Sequence, residues 1–245
     1  MDNTHLILLF VAVGIVAFLY SSVGHAGASG YIATMTLFGL VPAVIRPTAL
    51  VLNILVASIG AFQFWRAGHF SWKLFWPFAL LSVPAAYLGG YLQPSTGVLK
   101  TLIGVVLLFS AARLIFRKAD PPEVITPPRP LAIGVGGGLG FLSGLTGTGG
   151  GIFLTPLLLF CQWARIRQAA AVSALFILVN SIAGLIGYFT AQRSVPSLGF
   201  VLAGAAIIGG ALGSHLGSRR FPSRTISILL AIVLLIAGTK LILTR

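Results

Sequence analysis

Two short stretches of this chain hold residue types suited to gripping a small ion: GHAGASG at Gly24–Gly30 and GLTGTGGG at Gly144–Gly151. Glycine has no side chain to shield its amide, so a glycine-rich turn that opens a helix can aim several N–H groups at one point. Those groups, backed by the positive end of the helix dipole, make a site for an anion. The candidate binding residues are therefore Gly24, His25, Ala26, Gly27 and Ser29 in the first stretch, and Thr146, Gly147, Thr148, Gly149 and Gly150 in the second. The two threonines, Ser29, Ser21 and Ser22 add hydroxyl donors, and His25 adds a donor or a titrating group. Asn53 and Asn180, with Gln63, Ser173 and Ser181, are polar residues inside apolar runs. Each either lines the same path or makes a hydrogen bond between helices.

The acidic residues narrow the charge of the ligand. Asp2, Asp120 and Glu123 lie in a terminus or a linker, and none falls in an apolar run. A membrane site for metal ions or organic cations usually buries an acid, so a small anion fits better, and no metal or other cofactor is expected. Arg46 in IRPTA and Arg167 in IRQAA occupy matching places just before a long apolar run. They could draw anions toward a central site, and interfacial anchoring is the plainer alternative.

These residues must be positioned by membrane helices. The 245 residues are 57% hydrophobic and 8% charged, too apolar for a soluble fold to cover. Ten apolar runs recur: His5–Tyr20, Tyr31–Ile45, Ala49–Trp65, Leu74–Leu92, Val98–Phe116, Leu131–Leu145, Ile152–Trp163, Ala169–Thr190, Leu198–Leu216 and Thr225–Leu243. They lack the polar alternation of a barrel strand, and backbone groups in hydrocarbon must pair internally, so an all-α polytopic membrane protein is expected. The leading MDNTH carries no Lys or Arg, which argues against a cleaved signal peptide. A net charge of +13 is spread over short loops rather than gathered into a patch, so it reads as a topology signal and not as a nucleic-acid surface. Cys161 is the single cysteine and offers no disulfide or thiol pair.

The chain repeats itself around a proline-rich linker, RKADPPEVITPPRP. AFLYSSVGHAG from Ala17 aligns with GFLSGLTGTGG from Gly140, VASIGAFQFW from Val56 with VNSIAGLIGY from Val179, and VVLLFSAARLIF from Val105 with IVLLIAGTKLIL from Ile232. This divides the chain into a first repeat over 1–116, a linker over 117–130 and a second repeat over 131–245. Five segments per half place Arg66, Lys73, Arg113, Arg117, Lys118, Arg129, Arg165, Arg167, Arg219, Arg220 and Arg224 on one side of the membrane. Only Arg46, Lys100, Arg193, Lys240 and Arg245 are left on the other. Four crossings per half split the charges almost evenly. The odd number inverts the second half, makes the linker cytoplasmic and puts both termini outside. Segments of about 15 residues beside each glycine stretch reach only about 22 Å, short of the roughly 30 Å hydrocarbon core. Each glycine-linked pair is therefore re-entrant or spans with help from tilt or thinning, and both readings stand. Gly136, Gly140 and Gly144, like Gly209, Gly213 and Gly217, recur every fourth residue and read as helix-packing stripes.

Together GHAGASG, GLTGTGGG, the IRPTA and IRQAA pair, and AGHFSWKLFWPFALLSVPAAYLGG from Ala67 resemble the sulfite exporter TauE/SafE family over nearly the whole chain. The resemblance implies a bacterial inner-membrane protein that exports sulfite or a small organosulfonate. The first glycine stretch departs from the family pattern by holding fewer glycines, which puts the role of His25 in question. The expected function is thus a secondary transporter of a small sulfur-containing anion, working by alternating access with the substrate between the two glycine breaks near the midplane. Its partners are that anion and the lipid bilayer, with no nucleic acid, and a homo-oligomer stays open. A passive anion channel is the alternative. A weaker one is an intramembrane serine protease, with Ser29 of GASG as nucleophile and His215 as base. GVGGGLG at Gly134–Gly140 follows no strand and is set aside as a dinucleotide loop.

Overall fold

A computed structural model describes residues 3–92, 108, 111, 112, 123–191 and 197–243. The expected segment Val98–Phe116 lies mostly outside the described residues, as do Asp2, Lys100, Arg113, Arg117, Lys118, Asp120, Arg193 and Arg245. The described residues are helical with no strand. The helices are α1 (Asn3–Ser21), α2 (Ala28–Leu37), α3 (Pro42–Arg66), α4 (Trp72–Tyr91), α5 (Arg129–Thr146), α6 (Gly151–Phe160), α7 (Ile166–Thr190), α8 (Leu198–Arg219) and α9 (Ser223–Leu243). Stretches of α1, α3, α4, α7 and α8 are long and apolar enough to cross a membrane. Their outer faces carry exposed large side chains such as Leu80, Ile186, Phe200 and Ile208, as lipid-facing surfaces do. Trp65 and Trp72 stand exposed at the facing ends of α3 and α4, beside Arg66 and Lys73, in the manner of interfacial aromatics.

The glycine stripes explain how the crossing helices approach. Gly136, Gly140 and Gly144 of α5 lie on the backbone of Phe78, Ser82 and Ala86 of α4, where a Cβ would collide with each carbonyl. Gly209, Gly213 and Gly217 of α8 lie the same way on Gly14 and Phe18 of α1 and on Ser22 just past its end. Bare backbone faces bring two helices together in lipid, where no hydrophobic force separates helix from solvent. α3 and α7, both of 25 residues, meet at the centre and each packs on the fourth helix of the other half. They run antiparallel. Tyr188 near the end of α7 donates to the Ala43 carbonyl at the start of α3, while His69, in the loop after α3, bonds Ser218 near Arg167 at the start of α7.

The pair α2 and α6 is shorter than the sequence suggested, at 10 residues each, which rises only about 15 Å. Matching caps cut both short. Gly39 is left-handed, and the next amide, Leu40, returns to Met35; Gln162 is left-handed at φ 55°, and Trp163 returns to Leu158. That is the same helix stop, with glutamine in a position usually given to glycine. The following long helices also begin earlier than expected, at Pro42 and Ile166, so Arg167 sits inside the first turn of α7 and Arg46 at the start of the second turn of α3. Pro47 lies inside α3 and has no N–H to give the Ala43 carbonyl, which accepts from the Tyr188 hydroxyl instead.

Candidate functional site

The second glycine stretch ends one helix and starts another. Gly147 is the left-handed C-cap of α5, and its amide returns to the Ser143 carbonyl. Gly149 and Gly150 are both left-handed, at φ 77° and 78°, and Gly150 is the N-cap of α6. Helical bonding to Gly150 begins with Phe153 and Leu154, so the amides before them have no partner inside the helix. α7 and α3 close tightly over this point. A Cβ on Gly149 would stand 2.6 Å from Ile177 Cγ2 and 3.0 Å from both Asn53 Nδ2 and Ser181 Oγ. One on Gly150 would meet Phe176 at 2.9 Å and the Ser143 side chain at 3.1 Å. Both positions need glycine twice over, for the backbone angle and for the space.

The residues around the stretch are polar and buried. Asn53, Ser82, Ser143, Asn180 and Ser181 are all fully buried. Asn53 donates to Ser181 Oγ at 3.3 Å, and Asn53 Oδ1 and Ser143 Oγ have no hydrogen-bond partner. Such orphans cost stability, and each asks for an explanation. Asn180 is different, since both ends of its amide are engaged: Ser82 donates to its oxygen, and its nitrogen donates to the Phe176 carbonyl at 2.9 Å. It holds α4 against α7. Thr146 donates to the Leu142 carbonyl at 2.7 Å and lies 2.8 Å from the Thr148 hydroxyl, so both threonines are taken up by the turn.

The first stretch is built on the same plan with other neighbours. Gly24 is left-handed, with the His25 amide returning to Tyr20, and Gly27 at φ 103° is the N-cap of α2. Gly24 presses on the Ala170 backbone of α7, much as Gly147 lies against Arg46 of α3. Each break thus packs on the long helix of the other half. Ala26 is buried beside it, and the Tyr31 ring covers Gly27. Ser29 donates to Tyr20 Oη at 3.0 Å, whereas His215 is exposed on α8, so the GASG serine is engaged with a phenol rather than a histidine base. His25 reaches furthest. Its Nε2 lies 2.8 Å from Thr155 Oγ1 on α6, and Thr155 donates on to Ser173 of α7 at 2.7 Å.

Arg46 and Arg167 are both spent on helix ends. Arg46 Nη2 donates to the carbonyls of Gly89 at 2.9 Å, Gly90 at 3.2 Å and Gly144, and its guanidinium stands 5.8 Å from the Tyr188 ring centroid. Those are last-turn carbonyls of α4 and α5, the negative ends of two helix dipoles. Arg167 Nη2 donates to the Phe221 carbonyl just past α8 at 2.7 Å.

The structure therefore gathers Asn53, Gly149 and Gly150 at one point and sends His25 to the helix that begins there. It leaves Ser29 and Arg167 in separate environments. Ser82, Ser143 and Thr155 complete the centre without having stood out in the sequence. Their only signal was a hydroxyl in an apolar helix, and most such hydroxyls satisfy themselves on a carbonyl one turn back, as Ser58 and Ser214 do.

The chain matches the sulfite exporter TauE/SafE family over residues 9–241. It is similar to y4hK of Sinorhizobium fredii (strain NBRC 101917 / NGR234), named a probable membrane transporter protein, with 40% identity across 98% of this chain and 99% of that one. YjnA of Bacillus subtilis (strain 168), with the same description, is 27% identical across 89% of this chain and 92% of its own length. A third, MJ0441 of Methanocaldococcus jannaschii, is 29% identical over 66% of this chain and 62% of that protein. No solved structure matches. With helices able to cross a membrane and a match that runs nearly end to end, the chain belongs to the sulfite exporter TauE/SafE family and is a multi-pass membrane transporter of a small molecule.

Proposed function

We propose that this transporter exports a small sulfur-containing anion, sulfite or an organosulfonate, by alternating access, and holds it at the start of α6 between the two glycine breaks. One observation carries the reading. Beside the Gly150–Ile152 amides, which have no partner inside the helix, lie two fully buried polar atoms without partners, Asn53 Oδ1 and Ser143 Oγ. A half-turn of the Asn53 amide exchanges its ends, so that Oδ1 accepts the Ser181 hydrogen beside Gly149 and the NH₂ takes the position now without a partner. Backbone amides, the Asn53 amide and the Ser143 hydroxyl then make a set of neutral donors for the oxygens of an anion, favoured by the helix dipole. No described acid lies inside a crossing helix to repel it.

On this reading residues 1–116 and 131–245 are inverted repeats joined by 117–130. The antiparallel run of α3 and α7 and the reciprocal packing of the two breaks support it. The protein sits in a bacterial inner membrane with both termini periplasmic, which keeps the more basic loops cytoplasmic. Arg46 and Arg167 fix the two mouths by clamping helix ends, and they bias each mouth toward anions through their charge.

The test is transport by purified protein in liposomes, with sulfite and methanesulfonate as probes. Accumulation against a gradient by counterflow supports the transporter reading, whereas equilibration alone identifies a channel. If wild type neither binds nor moves any of these anions, the proposal is wrong.

A further inference from the structure

His25 is the histidine placed deepest among the helices, 3% exposed, and its hydrogen bonds assign its proton. Thr155 has one hydroxyl hydrogen and gives it to Ser173, so His25 Nε2 must be the donor in its contact with Thr155 Oγ1. Nδ1 is then the bare nitrogen, buried and without a hydrogen-bond partner. The backbone of Gly151, the first residue of α6, neighbours the ring. A proton arriving at Nδ1 breaks no existing bond. It gives the ring a second donor and sets a positive charge beside α6, the helix that begins at the glycine break.

The surrounding groups offer that charge no counter-ion. The titratable or charged residues on the elements packed around His25 are His5 and Tyr20 on α1, Tyr31 on α2, Arg167 and Tyr188 on α7, and Arg224 and Lys240 on α9, and α6 has none. None of these is an acid. An anion at the α6 N-terminus is therefore the natural partner for a protonated His25, and each raises the affinity for the other by the same factor.

We propose that His25 takes a proton on Nδ1 together with each bound anion, so that the protein is a proton–anion symporter. This rests on the anion site assigned above. The proton comes from water on the loading side, crosses on the imidazole and returns to water on the other side, while Nε2 keeps its hydrogen throughout. For a monovalent anion the step is electroneutral, and the anion gradient drives export with one proton leaving alongside.

The experiment uses full-length protein in liposomes with a pH dye inside, and methanesulfonate as the probe because it carries no titratable proton at neutral pH. Any proton that moves must then ride on the protein. Efflux of methanesulfonate with one proton each, at a rate unchanged by a clamped membrane potential, is the expected result. Affinity should also weaken by up to about tenfold per pH unit above the histidine range, as binding of one linked proton requires. His25→Asn should lose proton movement and become sensitive to potential, with slower anion flux. Anion flux without protons in wild type, or undiminished proton coupling in a folded His25→Asn, overturns the symport while sparing the anion site. Absence of methanesulfonate and sulfite binding in wild type instead removes the site itself, and the symport with it. Should His25→Asn fail to fold, the wild-type dye measurement decides alone.

Discussion

Asn53 on α3 and Ser181 on α7 are joined by a hydrogen bond of 3.3 Å at the centre of the bundle, over the bare backbone of Gly149. The bond ties the two longest helices together, one from each half, at the place where a third helix begins. It leaves one end of the Asn53 amide without a partner, and the functional reading turns on that unspent group.

Ser143 separates a binding role from a packing one. Its hydroxyl is fully buried with no partner, so Ser143→Ala removes an unsatisfied group at little structural cost. Thermal stability in detergent should stay level or rise slightly. Affinity for sulfite should drop about tenfold or more, since a hydrogen bond to a charged ligand contributes about 1.5–3 kcal/mol. Loss of stability with affinity intact would make Ser143 a packing residue.

The glycine stripes predict a contrast in melting temperature. Gly140→Leu and Gly213→Leu place side chains against the backbone of Ser82 and Phe18, which no rotamer relieves, and each should destabilise by on the order of 3 kcal/mol or more. Gly138→Leu, on the same helix as Gly140, meets nothing within 4 Å and should melt near wild type. Equal melting of Gly138→Leu and Gly140→Leu would show that the stripe does not seat α5 on α4.

Spacing alone revealed those stripes, because contact every fourth residue on a helix is a local property. Most helix limits were legible for the same reason: α1, α4, α5 and α8 begin and end within about three residues of their apolar runs. The start of α3 was not. Arg46-Pro47 reads as a boundary, yet the helix runs through Pro47, with Tyr188 donating to the Ala43 carbonyl it leaves open, and the actual stop is the left-handed Gly39. In the second half that stop falls on Gln162, a residue type with no turn signal. Asn53 was legible as a polar residue in an apolar run. Its meeting with Gly149 and Ser143 depends on helices distant in sequence, and no spacing within one segment encodes that.

Arg46 predicts that charge alone will not suffice. Its guanidinium spans carbonyls of Gly89, Gly90 and Gly144, a reach that a lysine ammonium cannot reproduce. Arg46→Lys should lose stability, at about 1–3 kcal/mol for each buried carbonyl left without a donor. Arg167→Lys should lose less, having one such carbonyl at Phe221. Protease resistance in detergent reports both, and an Arg46→Lys protein as resistant as wild type would contradict the clamp.

His69 predicts acid sensitivity at the opposite mouth. Partial burial and the nearby Arg167 hold its pKa below the ordinary histidine value, outweighing the Ser218 carbonyl that pulls it up. The unfolded chain therefore binds the proton more readily than the folded one. The stability His69 contributes is complete above the ordinary value, about 6.5, and is lost as pH falls through the lowered one. Melting temperature should decline on acidification, and His69→Gln, which keeps a donor for Ser218, should flatten that decline. An unchanged acid profile in His69→Gln would assign the sensitivity to other groups.

The location of the anion is open to direct inspection. Selenite has the shape and charge of sulfite, and selenium scatters anomalously, so a crystal grown with selenite marks the bound atom without modelling bias. The peak should lie at the first turn of α6, within hydrogen-bond reach of the Asn53 amide, the Ser143 hydroxyl and the Gly149–Gly151 backbone, and should vanish in Asn53→Leu. Selenium bound only at the basic loops, or a central peak that survives Asn53→Leu at full height, would contradict the site.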